Sequence, residues 1–197
     1  MRLGIDLDNT IISYDRLFVQ LASERNLVPP HVPSNKQAIR DYLRAQDQEN
    51  RWTELQGLAY GRRMEEAVMF DGVQEFIRRC EMANVEWMII SHRSRVPYFG
   101  EPVDLHAAAL HWLLKQRLIG SDQVDRVKLE VTREAKLESI LQSECDVFID
   151  DLPELLLDAG FPHHVRRILF DPANHIPDST QYERATSWLE IAQRLGI

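Results

Sequence analysis

The sequence predicts an α/β protein with a parallel, Rossmann-like sheet and helices on both faces. Three observations lead there. Short apolar, β-rich runs recur along the chain, at 3–5, 85–90, 126–131, 146–149 and 165–170. The stretches between most of them space their apolar residues as a helix does. And three of the runs end in polar groups: Asp6 and Asp8 after the first, Ser91 after the second, Asp150 and Asp151 after the fourth. Strands that alternate with helices build parallel sheets through right-handed crossovers. Ligands of such sheets bind beyond the carboxyl ends of the strands. The polar groups should therefore meet at one edge.

Each element follows in turn. After the opening strand, residues 13–26 place Leu17, Phe18, Leu21 and Ala22 at helical spacing. The run Pro29-Pro30-His31-Val32-Pro33 breaks that helix. Ser34 and Gln37 form a capping-box pattern for a second helix. Residues 52–69 read as a third, weakened by Gly57 and Gly61. Within it, Arg62 and Arg63 read as a solvated face and Tyr60 as an inward-packed side chain. This excursion is longer than an ordinary strand-to-helix connection. It divides the chain into a core of 1–12 with 70–197 and a helical insertion of 13–69.

The core then continues. A turn at Phe70–Val73 leads into a helix over 74–83 and the strand over 85–90. Asp104 caps a helix over 105–117. A strand over 126–131, a helix over 133–142, a strand over 146–149, a helix over 153–159 and a strand over 165–170 follow. Thr180 and Glu183 have capping-box spacing ahead of a terminal helix, whose Trp188, Leu189, Ile191, Ala192 and Leu195 form its core-facing stripe.

The polar edge has a chemical logic. Two carboxylates held together repel and lose hydration unless a cation, a proton or hydrogen bonds offset them. Asp8 and Asn9 are also natural turn formers, which alone would explain the first pair. Carboxylates gathered without His or Cys suit a hard, oxygen-seeking cation such as Mg²⁺. Beside it, a carboxylate such as Asp6 can act as a nucleophile towards a phosphoryl group. Asp8 can trade protons with the leaving oxygen and with water. Ser91 and Lys136 offer a hydroxyl and a fixed cation where negative charge accumulates. The loop after Ser91 brings His92, Arg93 and Arg95 as candidate contacts for a substrate anion, or as partners of nearby Asp and Glu.

These residues, in this order, resemble the four motifs of the haloacid dehalogenase superfamily, on its helical-cap phosphatase branch. Asp6-Leu7-Asp8-Asn9-Thr10 is similar to the first motif, Ser91 to the second, Lys136 to the third and Asp150-Asp151 to the acidic fourth. The resemblance covers residues 1–170. It implies a hydrolase of phosphoric monoesters with Asp6 as nucleophile, Asp8 as acid/base, and Ser91 and Lys136 as their catalytic companions. It implies Mg²⁺ held by Asp6, the backbone carbonyl of Asp8, and Asp150. Asp151 would stand beside the metal, and with His92 and Arg93 it completes the candidates for substrate contact. Residues 13–69 would be the cap that closes over the site and selects the substrate. A phosphotransferase or phosphomutase on the same scaffold, or a non-catalytic binder of phosphate ligands, are the alternatives. Asp8 argues against dehalogenation, because a halide leaves without a proton.

Composition sets bounds. The 197 residues are 44% hydrophobic and carry a formal net charge of −8, enough to bury a core. That charge disfavours nucleic acid and anionic membranes as partners. A small phosphorylated metabolite is the expected partner, and a homodimer is compatible with the chain. No apolar run approaches a membrane span and no signal peptide precedes the first strand, so the cytoplasm is the expected compartment. Cys80 and Cys145 read as buried, reduced thiols. The seven histidines show no zinc-site spacing.

Overall fold

A computed structural model describes residues 1–197. The elements in chain order are β1 (Arg2–Ile5), β2 (Ile12–Ser13), α1 (Asp15–Glu24), α2 (Lys36–Ala45) and α3 (Glu49–Gly57). A π turn (Leu58–Arg62) and a 3₁₀ turn (Met64–Glu66) precede β3 (Val68–Met69), α4 (Val73–Met82), β4 (Glu86–His92) and α5 (Leu105–Lys115). A second 3₁₀ turn (Val124–Arg126) precedes β5 (Val127–Glu130), α6 (Arg133–Gln142), β6 (Val147–Asp150), α7 (Pro153–Leu156), β7 (Arg166–Phe170), β8 (Glu183–Ala185) and α8 (Trp188–Leu195). No helix is long and apolar enough to cross a membrane.

Contacts divide the chain into two compact units. One comprises Met1–Ile11, Met69–Arg93 and Leu118–Ile197, the other Ile12–Val68 and Ser94–Arg117. The insertion expected over 13–69 corresponds to most of the second unit. Residues 94–117, read from the sequence as part of the 70–197 core, group with that second unit instead.

The first unit is a six-stranded sheet in the order β5-β4-β1-β6-β7-β8, flanked by helices. Every pairing is parallel. β1 lies between β4 and β6, with Leu3 in register with both Trp87 and Val147. Strands covered on both faces read as unbroken apolar runs, which is how β1, β4 and β6 announce themselves. Gly4 is required at the centre of β1. A Cβ there would lie 2.5 Å from Cδ2 of Phe148 and 2.9 Å from Sγ of Cys145. Phe148 belongs to a core cluster with Ile90, Ile140, Phe161 and Leu169. α4 and α8 meet through Phe76 and Trp188, whose ring centroids are 4.8 Å apart. Cys80 and Cys145 are buried free thiols, and burial pushes them up to about 12 and about 11.

Three expectations for this unit differ from the structure. Glu183 is not part of a helix cap; residues Glu183–Ala185 form the sixth strand, and the side chain of Glu183 receives the Arg166 guanidinium at 2.6 and 2.7 Å. The cap of α8 is Ser187, whose hydroxyl accepts from the Glu190 N–H at 3.2 Å. Both Thr180/Glu183 and Ser187/Glu190 have the box spacing, and a three-residue edge strand carries too little periodicity to separate them. On α8, Trp188, Ile191 and Ala192 are buried, but Leu189 is exposed. The helix expected over 153–159 is the single turn of α7.

In the second unit, Leu17, Phe18, Leu21 and Ala22 are the buried face of α1, as their spacing predicts. Phe18 stacks on Trp52 at 4.9 Å and meets Tyr60 edge-on at 5.9 Å. Asn35, not Ser34, caps α2, accepting from the Ala38 N–H at 2.8 Å. The single helix expected over 52–69 is replaced by α3 and two short turns. The break falls at the second of its glycines. A Cβ on Gly57 would sit 3.1 Å from Cβ of Pro97, and one on Gly61 would sit 2.5 Å from Cγ1 of Val103. The segment after Ser94 crosses here, close enough at Gly61 that a Cβ would force Val103 to shift. Gly61 leaves helical geometry at φ −119° and ψ −107°. α5 starts as expected, with Asp104 accepting from the Ala107 N–H at 2.9 Å. Nε1 of its Trp112 donates to the carbonyl of Ala67 at 3.0 Å.

Candidate active site

The site lies wholly within the first unit, at the carboxyl ends of β1, β4 and β6. β1 stops at Ile5, and the Asp6 N–H extends its ladder by one bond to the carbonyl of Ile149 at 2.9 Å. The chain then turns: Asn9 is left-handed at φ 59°, a region asparagine tolerates, and the Ile11 N–H reaches back to the Leu7 carbonyl at 3.0 Å. Asp6 is 4% exposed and Asp150 fully buried.

Lys136 links them. Thr132 caps α6 by accepting from the Ala135 N–H, which fixes the first turn and sends Lys136 inward. Its Nζ lies 2.5 Å from Asp6 Oδ1 and 2.6 Å from Asp150 Oδ2. It also lies 5.4 Å from the centroid of the Phe148 ring. A buried cation near a helix N-terminus is doubly disfavoured, by desolvation and by the dipole. Burial alone would lower its proton affinity; the attraction of Asp150 and Asp6 outweighs this and raises it, so Lys136 stays charged. Asp6 is pushed up to about 7, first by burial and then by repulsion from Asp150 and Asp8, which one lysine only partly counters. The cluster thus carries more negative charge than its lysine offsets.

The second Oδ of Asp150 accepts from the Leu152 N–H at 2.8 Å, which fixes the carboxylate plane. Asp151 accepts from the Thr10 hydroxyl at 3.3 Å. Oxygens of Asp6, Asp150 and Asp151 lie within 4.8 Å of one another. This is an all-oxygen donor set with surplus negative charge, and it fits a hard divalent cation. The Asp8 carboxylate stands outside that group. Both its oxygens are held by the Arg93 guanidinium: Nε to Oδ2 at 3.2 Å, and Nη2 to Oδ1.

Ser91 is 1% exposed, and its hydroxyl has no hydrogen-bond partner. Ser91 lies two residues beyond Ile89, the register partner of Ile5, so it stands at the same strand edge as Asp6. His92, the next residue of β4, is exposed and joins no bond of the cluster. Arg95 is exposed and pairs with Asp104 at 3.0 Å. The structure therefore brings together Asp6, Asp150, Asp151 and Lys136, ties Asp8 to Arg93, and leaves His92 apart. Sequence reasoning passed over Thr10 as a contact and did not pair Arg93 with Asp8.

Comparison with known proteins bears on the fold. No protein-family profile and no curated protein sequence matches the chain. Solved structures do. Protein Tyrosine Kinase A of Mycobacterium tuberculosis superposes with a TM-score of 0.62 at 15% identity, covering 100% of this chain and 98% of that one. A HAD family hydrolase from Deinococcus radiodurans with bound phosphate and sodium gives 0.57 at 16% identity, covering 99% and 94%. The HAD-hydrolase YfnB of Bacillus subtilis, bound to magnesium, gives 0.56 at 14% identity, covering 100% and 98%. Dehalogenases are also among the matching structures. The chain has the fold of the haloacid dehalogenase superfamily.

Proposed function

We propose that this protein is a Mg²⁺-dependent phosphohydrolase acting on a small phosphorylated metabolite through an aspartyl-phosphate on Asp6. One observation carries the reading: Lys136 bridges Asp6 and Asp150 at the strand ends, with the buried Ser91 at the end of the neighbouring strand. The metal would be held by Asp6, the Asp8 carbonyl and Asp150, with Asp151 alongside. When bound, it neutralises the repulsion between the carboxylates and an arriving phosphoryl dianion.

The chain's own groups account for the rest. An Asp6 oxygen attacks phosphorus; the P–O bond to the leaving group breaks, and its electron pair stays on the leaving oxygen. Asp8 delivers a proton to that oxygen. Lys136 and the Ser91 hydroxyl hold the phosphoryl oxygens as charge spreads over them. Asp8 then takes a proton from a water that attacks phosphorus, the Asp6–phosphorus bond breaks, and phosphate leaves. The bridge from Lys136 keeps Asp6 in one orientation for both attacks. Residues 13–69 act as the cap that selects the substrate. Dehalogenase neighbours share the fold, but a halide needs no acid, and this chain builds a held carboxylate at Asp8.

Release of inorganic phosphate from a panel of phosphate esters tests the proposal, with Mg²⁺ and with chelator. The expected result is metal-dependent release that falls by about 10³-fold or more in Asp6→Asn. Release that persists in a clean Asp6→Asn preparation rules out the covalent route. Label that moves to a second hydroxyl instead of to phosphate indicates a transferase.

A further inference from the structure

The Arg93–Asp8 pair has no role in the steps above, and its geometry constrains them. Arg93 follows β4, and its N–H donates to the Glu130 carbonyl at 2.7 Å, which fixes its backbone beside β5. Its side chain is 3% exposed, against 20% for that of Asp8. The guanidinium engages both Asp8 oxygens as a fork, an arrangement whose strength comes from planarity and that lysine does not reproduce. For Asp8 to turn one oxygen, with a proton, towards a leaving group, one arm of that fork must let go. The guanidinium is buried, and losing a charge-assisted bond there is unfavourable. The exchange becomes favourable when the incoming molecule supplies an oxyanion in place of the Asp8 oxygen.

Which part of the substrate supplies it follows from the roles assigned above. The phosphoryl oxygens have Ser91 and Lys136 as partners. The leaving oxygen is what Asp8 serves. An oxyanion that replaces Asp8 in the fork therefore belongs to the leaving group and sits a few bonds from the ester oxygen. We propose that Arg93 selects phosphate esters whose leaving group carries its own carboxylate or phosphate next to the ester oxygen. Arg93 is then a specificity-determining residue that frees Asp8 only when such an anion arrives. This rests on the phosphohydrolase reading.

Two esters of equal size separate the possibilities: O-phospholactate and O-phospholactamide, which differ by a carboxylate against a carboxamide. The ratio of their kcat/KM values is the readout, because damage to the fold lowers both together. The wild type should prefer the carboxylate by roughly tenfold or more, since a site built around a polar partner rejects the analogue that lacks it. Arg93→Met should bring the ratio to about one, and Arg93→Lys, which keeps the charge without the fork, should lie between. Calorimetric binding of both esters to Asp6→Asn with Mg²⁺ reads the same preference without turnover, and Arg93→Met in that background should remove it. Equal binding of the two esters, or equal loss on both in Arg93→Met, overturns the proposal. If the wild type releases no phosphate from these two esters or from the wider panel, the phosphohydrolase reading fails, and the binding ratio still decides on Arg93.

Discussion

Asp6 is the residue on which fold and chemistry oppose each other. It is buried against Asp150 and near Asp8, with Lys136 as the nearest cation, and its carboxyl is pushed up to about 7. Its surroundings disfavour the ionised form near neutral pH, a common property of groups kept for reaction. Replacing it with asparagine removes one charge and leaves Lys136 paired to Asp150 at 2.6 Å. In chelator at neutral pH, Asp6→Asn should therefore raise Tm by a few degrees, since a chain of this size gains about 2–4 °C per kcal/mol. A calorimetric scan checks it, and a lower Tm shows that Asp6 contributes net stability through Lys136. The same scan shows whether loss of activity comes from chemistry or from unfolding. Most of these residues were legible in the sequence, because strand ends can be seen as apolar runs that stop at Asp or Ser. Lys136 was legible through its position relative to the other motifs. The Arg93–Asp8 pair was not, because 85 residues separate its members and the register that joins them is set by β1 and β4 pairing. His92 joins no bond of the cluster because neighbours on a strand point to opposite faces, so Ser91 is buried and His92 is exposed.

At the scale of elements, β1 decides where the site forms. It is four residues long, and it must lie close to Phe148 and Cys145 for Asp6 to reach Asp150. Gly4→Ala places a methyl 2.5 Å from the Phe148 ring and 2.9 Å from the Cys145 sulfur. Neither can yield easily, as both are buried in the core. The substitution should destabilise by about 1–3 kcal/mol, the usual range for overpacking. Chemical denaturation measures it, and a neutral result shows that Phe148 can rotate away. The glycine was visible in the sequence but its reason was not, since close approach depends on which aromatic lies opposite. The strands of the sheet interior were legible for a simple reason: burial on both faces leaves an unbroken apolar signature. β8 was missed because an edge strand of three residues, Glu-Arg-Ala, shows no such run. The helix expected over 52–69 was misread because its glycines answer to Pro97 and Val103, some forty residues away, rather than to local propensity.

For the molecule as a whole, the decisive feature is that the second unit is made from two separate stretches of chain. Ile12–Val68 shares its unit with α5, which packs on the turns at Leu58–Arg62 and Met64–Glu66. Leu105, Ala109, Trp112 and Leu113 of α5 are buried, and Trp112 donates to the Ala67 carbonyl at 3.0 Å. The sequence reading treated 13–69 alone as the insertion because it is longer than an ordinary strand-to-helix connection. If that reading held, excising residues 12–68 would leave a sound sheet domain. The junction itself is simple, since the Phe70 N–H already bonds the Ile11 carbonyl at 2.9 Å. The contacts of α5 predict a different result. With 12–68 gone, its apolar face and the Trp112 N–H lose their partners, and exposed apolar surface of that kind drives association. The single excision should yield a protein that binds a hydrophobic dye and aggregates on size exclusion. Excising 12–68 and 94–117 together, with a flexible linker at each junction, should restore a monodisperse species that unfolds cooperatively. A single excision that melts as sharply as the double one would mean that α5 belongs to the sheet unit. The double excision also bears on function: the acidic cluster and Lys136 all lie in the retained segments. It should still show a Mg²⁺-linked rise in Tm, as any ligand of the folded state gives, while selection among esters by the removed unit is lost.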